Sequence, residues 1–182
     1  MSDHEQEFVQ LLDKNRKKIV RAWLQGIVDT YPPKTSEFLT SQKDQFANPI
    51  GANLARDLDT IFTELLQEHS TEALTTAVDG IVRIRAIQDF PPSGAVGCFL
   101  QLKTIIRQTV GTQIRDHSLL HQLAGFDAKI DQLMLVAFEA YVQCREKIWE
   151  LKAKEAQHRT RNLLRRKAGV DWTVSDSPEP NE

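Results

Sequence analysis

Two proline pairs, Pro32-Pro33 and Pro91-Pro92, interrupt a chain whose apolar residues otherwise recur at helical spacing. Proline lacks a backbone donor and pushes the residue before it out of the helical region, so each pair marks a helix boundary. Pro32-Pro33 ends a first helix predicted over about Asp3 to Tyr31, in which Phe8, Leu12, Ile19, Trp23 and Ile27 form one apolar face, broadened by Val9, Val20, Leu24 and Val28. Pro91-Pro92-Ser93 starts a helix instead, because proline suits a first helical turn; it runs to about Asp116 through Val96, Phe99, Leu100, Leu102, Ile105, Ile106 and Val110.

Between the pairs, a connector over 34–49 holds a short helical turn around Ser36 to Lys43 and an anchored turn at Phe46-Ala47-Asn48-Pro49. A helix follows over about Ile50 to Gln67 with Leu54, Leu58, Ile61, Phe62 and Leu65 facing inward. The next is capped by Ser70 or Thr71 and reaches Gln88 or Asp89. The last and longest runs from about Leu119 to Lys167, with Phe126, Ile130, Leu133, Ala137, Ala140, Cys144, Ile148 and Leu151 spaced by threes and fours, close to a coiled-coil seam. Strand alternation is absent. The predicted fold is all-α: an antiparallel helical bundle of four main helices before a long C-terminal one. Residues 1–151 read as a helical domain, 152–167 as a charged extension of the last helix and 168–182 as a disordered acidic tail.

Composition narrows the function classes. The chain has 182 residues, and its net charge of −2 argues against bulk nucleic-acid binding. Lys152, Lys154, Arg159, Arg161, Arg165, Arg166 and Lys167 make a basic run against Glu155 alone, but without interleaved aromatics it reads as a solvated helical extension, and no nucleic-acid partner is expected. The polar N-terminus is no secretory signal and no apolar run is long enough to span a bilayer, so a cytoplasmic protein without membrane insertion is expected. Cys98 and Cys144 sit on apolar helical faces outside any CxxC pair and read as small buried hydrophobes.

Catalytic constellations are missing. There is no GxSxG, no glycine-rich phosphate loop and no cysteine with a plausible base, so the chain is expected to be no enzyme. His117 and His121 share a helix face but lack the HExxH glutamate and a third ligand, and no metal is expected. Haem needs an axial ligand, usually histidine, beside an apolar pocket, and no histidine lies between His69 and His117; no cofactor is expected.

The unusual chemistry is concentrated in Gly80 to Ser93. Arg83, Arg85, Gln88 and Asp89 are interleaved there with Ile81, Val82, Ile84 and Ile87. A solvated face does not need those aliphatic residues, and a plain core helix does not carry those polar ones. Two readings stand: a structural network, with Arg83 or Arg85 on Asp89 or on a carbonyl of the Pro91-Pro92 turn, or a pocket for a carboxylate, a phosphate or a partner's backbone. Positions 83 and 85 lie about 200° apart on a helix, which would bury one arginine and expose the other. Thin turns at Gly94 and Gly97 would bring the next helix start beside the arginines. On the last helix, Tyr141, Arg145 and Trp149 form a stripe that is either a salt-bridged flank or, together with Leu133, Ala137 and Ile148, a dimer or partner surface.

The chain resembles the N-terminal domain family of RsbT co-antagonist proteins of the RsbRD type. The residues that carry the likeness are Ala22-Trp23-Leu24, Thr30-Tyr31-Pro32-Pro33, Asp44 to Gly51, Ile81 to Phe90 with Pro92-Ser93 and Ala95-Val96-Gly97, then Ala137 to Tyr141 with Cys144 to Ile148, over about residues 8–155. The resemblance implies an all-helical, globin-like input domain of bacterial stress signalling, one that dimerises and passes a signal down its C-terminal helix to an output domain, often a STAS domain. The residues after the long helix are too few for a STAS domain, so a stand-alone member is expected. The resemblance thus implies a non-enzymatic sensor or adaptor, a homodimer with a protein partner and a small-molecule ligand. The alternative it leaves is a small-molecule or cofactor-binding accessory protein of a respiratory redox system.

Overall fold

The computed structural model describes residues 3–41, 48–67 and 72–168. They form seven helices and the turns between them: α1 (Asp3–Lys14), α2 (Arg16–Val28), α3 (Pro33–Ser41), α4 (Pro49–Gln67), α5 (Glu72–Ile87), α6 (Pro92–Val110) and α7 (His117–Ala168). No strand occurs among the described residues, and the fold is all-α with a long C-terminal helix. The chain divides into two units, Met1–Arg145 and Glu146–Glu182, with α7 contributing to both.

In the first unit, α2 packs on α4 and α6, and α4 packs on α5. Its core follows the helical periodicities: Leu12, Ile19, Trp23, Ile27, Leu58, Ile61, Phe62, Val82, Phe99, Leu102 and Ile106 are fully enclosed. Edge-on ring contacts join the helices, Phe8 to Phe126 across α1 and α7 and Trp23 to Phe99 across α2 and α6. Trp23 also donates its indole N–H to the Cys98 carbonyl at 2.8 Å, which satisfies the one polar atom of an otherwise apolar side chain. At the rim, Arg16 at the start of α2 grips both carboxylate oxygens of Asp59 on α4 at 2.8 Å. Lys103 and Arg107 on α6 pair with Asp131 and Asp127 on α7.

The predicted first helix is two. Asn15 leaves helical geometry (φ −99°, ψ 3°), and its side-chain amide donates to the Leu11 carbonyl at 2.9 Å. Asparagine competes with the backbone for such groups, so a break there costs little. The anchored turn before α4 rests on Asn48, which is buried. Its Oδ1 accepts the Gly51 N–H and its Nδ2 donates to the Leu39 carbonyl, each at 2.9 Å, so one side chain caps α4 and ties it to α3. A side chain at Gly51 would collide with Asn48, its Cβ falling 2.3 Å from Nδ2. Phe46, Ala47, the end of the predicted Ser36–Lys43 turn, the Ser70 or Thr71 cap and the tail beyond 168 lie outside the described residues.

Asn48→Ala removes a cap and leaves the Leu39 carbonyl without this donor. It is expected to lower unfolding free energy by about 1–3 kcal/mol, read from the midpoint in urea; a midpoint equal to wild type would contradict the cap.

Candidate functional site

The corner between α5 and α6 is built by a helix-ending motif that glycine usually supplies. Asp89 has φ 58°, the only positive value at a non-glycine residue among those described. The Phe90 N–H reaches back to the Arg85 carbonyl at 3.1 Å and the Asp89 N–H to the Ala86 carbonyl at 3.3 Å. These are the two bonds of a Schellman ending, with Asp89 as the left-handed residue. Aspartate tolerates that conformation better than most residues. The motif normally sets the residue after the turn against the one that starts the last turn. Here those two are Phe90 and Arg85, and the Phe90 ring lies 4.2 Å from the guanidinium carbon.

Arg85 is only 1% exposed. Its Nη2 donates to Thr30 Oγ1 at 3.0 Å, at the end of α2, and to the Gly94 carbonyl at 2.8 Å, in the first turn of α6. Tyr31 lies on another side at 5.5 Å and meets Phe90 edge-on at 5.2 Å. Enclosing a charged group costs several kcal/mol. Two charge-assisted hydrogen bonds return about 1.5–3 kcal/mol each, a desolvated aromatic face about 2 kcal/mol, and the negative end of α5, whose last turn holds Arg85, adds to them. Among the described residues Nε and Nη1 are buried without a hydrogen-bond partner of good geometry, although the Tyr31 hydroxyl lies near enough to Arg85 to interact with it.

The cluster predicted over Arg83, Arg85, Gln88 and Asp89 is thus divided. Arg85 points inward; Arg83 is exposed and bridges Asp79 at 2.7 Å within α5; Gln88 is exposed. Asp89 pairs with neither of these arginines but with Arg145 of α7 at 2.6 Å. Arg145 also donates to the Ala86 carbonyl at 3.2 Å, and Tyr141, one turn earlier, donates its hydroxyl to the Phe90 carbonyl at 2.8 Å. The corner is therefore held from α7 by two side chains four residues apart.

Burial sets the ionisation of two neighbours. It pushes the Cys98 thiol up to about 11, against the opposing charge of Arg85. It raises the Tyr31 hydroxyl too, again opposed by Arg85. Both groups are protonated near neutral pH, so neither supplies a negative charge to Arg85. Cys98 Sγ lies 3.3 Å from the Ala95 carbonyl, to which it donates.

The residues predicted to form a dimer or partner surface also divide. Leu133, Ala137 and Tyr141 are buried in the first unit's own core. Ile148 is half-buried, and Trp149 is exposed with Lys152 Nζ 5.5 Å from its ring. In the first unit, α7 exposes Leu135, Phe138 and Val142 instead, spaced by three and four, with Val136 beside them. Among the described residues no group of three or more histidines, cysteines or acids could hold a metal, and no helix is long and apolar enough to cross a membrane.

Residues 17–156 match the RsbT co-antagonist protein rsbRD N-terminal domain, and the chain belongs to that family. The family implies an input domain of stress signalling. An uncharacterized protein of Archaeoglobus fulgidus is 29% identical over 144 residues, which cover 79% of this chain and 85% of the relative. No solved structure matches.

Two substitutions test the corner. Asp89→Asn keeps a residue tolerant of positive φ but loses the ion pair; with Asp89 largely exposed, the expected cost is about 0.2–1 kcal/mol and shrinks in salt. Asp89→Ala adds a left-handed strain of about 1–2 kcal/mol; equal urea midpoints for the two variants would contradict the motif. For Cys98 the unfolded thiol ionises first, near 9, and the folded one near 11. The unfolded chain then binds fewer protons, so this contribution to stability falls as pH rises between those values, by up to about 1.4 kcal/mol per pH unit. The stability difference between wild type and Cys98→Ala should narrow across that window and be flat below it.

Proposed function

We propose that the protein is a regulatory input domain that acts without catalysis, as a homodimer and through contact with a protein partner, with α7 as its contact surface. The carrying observation is the division of α7 into two faces. Leu133, Ala137 and Tyr141 serve the chain's own core, while Leu135, Phe138 and Val142 leave an apolar stripe in solvent. Three apolar residues at this spacing suit packing against another helix, and an identical stripe on a second copy supplies it symmetrically. Phe138, 47% exposed, is the natural anchor, since aromatic residues dominate such contacts.

The α7 residues that clasp the α5–α6 corner support a route between the polar corner and this face. Tyr141 and Arg145 hold the Phe90 carbonyl, the Ala86 carbonyl and Asp89. The same stretch of helix carries Phe138 and Val142 on the solvent side. A shift of the corner therefore moves the helix that presents the stripe.

Native mass spectrometry at micromolar concentration is expected to give a dimer for wild type and a monomer for Phe138→Glu, whose urea midpoint per chain should be little changed because the residue is exposed. A monomeric wild type, or a Phe138→Glu variant that stays dimeric, would overturn the assignment of this face.

A further inference from the structure

We infer that Arg85 is the receptor for a small monovalent oxyanion, of the size of formate, nitrite, nitrate or bicarbonate, taken into the corner between α5 and α6. The inference rests on the regulatory reading in one respect: the anion would be the input that α7 registers. A guanidinium is a permanent cation. Arg85 is enclosed, and the chain offers it no carboxylate among the described residues: Asp79 is paired with Arg83 and Asp89 with Arg145. Buried arginines are rare unless paired. Buried donors in native proteins are almost always matched, yet among the described residues Nε and Nη1 have no partner of good geometry, the neutral Tyr31 hydroxyl being the nearest candidate.

Neutral water would answer the missing hydrogen bonds but not the missing charge. A planar oxyanion answers both, because a guanidinium offers parallel N–H groups at the spacing of two oxygens. The two nitrogens without partners lie on different edges of the guanidinium, and Nη2 already donates to Thr30 and Gly94. An oxyanion held by two parallel bonds would thus use Nε or Nη1 together with Nη2, and would release Arg85 from either Thr30 Oγ1 or the Gly94 carbonyl. Thr30 follows α2 and Gly94 lies in the first turn of α6. Between them stands Phe90, which covers the guanidinium with its ring and takes the Tyr141 hydroxyl on its carbonyl. Occupancy at Arg85 would in this way reach α7 through residues already in contact.

The test is thermal unfolding of the full chain in formate, nitrite, nitrate and bicarbonate at constant ionic strength, with formamide as the neutral counterpart of formate. At least one anion should raise the midpoint saturably, by about 5–10 °C at a concentration one hundred times its dissociation constant. Formamide should not, and Arg85→Met should not respond. In case Arg85→Met does not fold, NMR of the arginine Nε–H groups in wild type decides: one solvent-protected resonance should shift on titration and saturate. No response to any of the four anions in both measurements, an equal response to formamide, or an equal response in folded Arg85→Met would overturn the inference. Its failure would leave the dimer untouched, since the mass measurement on Phe138→Glu reads that separately.

Discussion

A guanidinium that cannot shed its proton is enclosed where α5 turns into α6, and the surrounding chain is arranged to tolerate it. Thr30 and the Gly94 carbonyl accept from it, Phe90 and Tyr31 give it ring faces, and the C-terminal end of α5 offers it a negative dipole. These groups come from the end of α2, the end of α5 and the start of α6, so one side chain fixes the mutual placement of three helices. A methionine there would fill similar space and would ask for none of those partners. The cost of burying a charge is met here by geometry, and that geometry places the Schellman turn, the left-handed Asp89 and the first turn of α6 together.

Much of the scaffold was legible because it depends on local rules. The proline pairs set boundaries that the structure keeps, α3 beginning at Pro33 and α6 at Pro92, and the apolar positions read from spacing in α2, α4 and α6 are enclosed except Val20, Leu24 and Ile105, which are partly buried, and Leu100, which is exposed. The break at Asn15 was missed because an apolar stripe continues through it; the signal was present in the residue's tendency to bond its own backbone. The end of α7's role in the core was also misread. A three-four stripe looks the same whether it packs on its own bundle or on another chain, and Leu133, Ala137 and Tyr141 turned out to do the former.

The corner was legible only in its ingredients. The sequence marked Arg83, Arg85, Gln88 and Asp89 as a group, and the angular separation of 83 and 85 on a helix anticipated one buried arginine and one exposed one. Which partner each would take was beyond it. Asp89 is bound from position 145, and no local pattern ties residues that far apart in the chain. The helix ending was hidden as well, because its left-handed position carries aspartate where glycine would have announced it. Thr30, Tyr31 and Gly94 joined the site through tertiary packing, for which a single sequence holds no signal beyond their being near helix ends.

The aspartate at position 89 joins the helix ending to α7. Glycine at position 89 would satisfy the backbone with less strain, but it would present no carboxylate to α7. With aspartate, the same residue that permits the turn also takes Arg145, and Arg145 in turn adds a second hydrogen bond to the Ala86 carbonyl, which already accepts the Asp89 N–H. Closing α5 and clasping α7 thus become one event. With glycine at 89 the corner would be tied to α7 only through Tyr141 on the Phe90 carbonyl and Arg145 on the Ala86 carbonyl; with aspartate the ion pair is added, and the corner cannot move far unless α7 moves or those bonds break. The exposed apolar face of α7 begins within a turn of Tyr141, at Phe138 and Val142. Between the buried charge and the exposed apolar residues of α7 there then stand only Phe90 and Tyr141, already in contact.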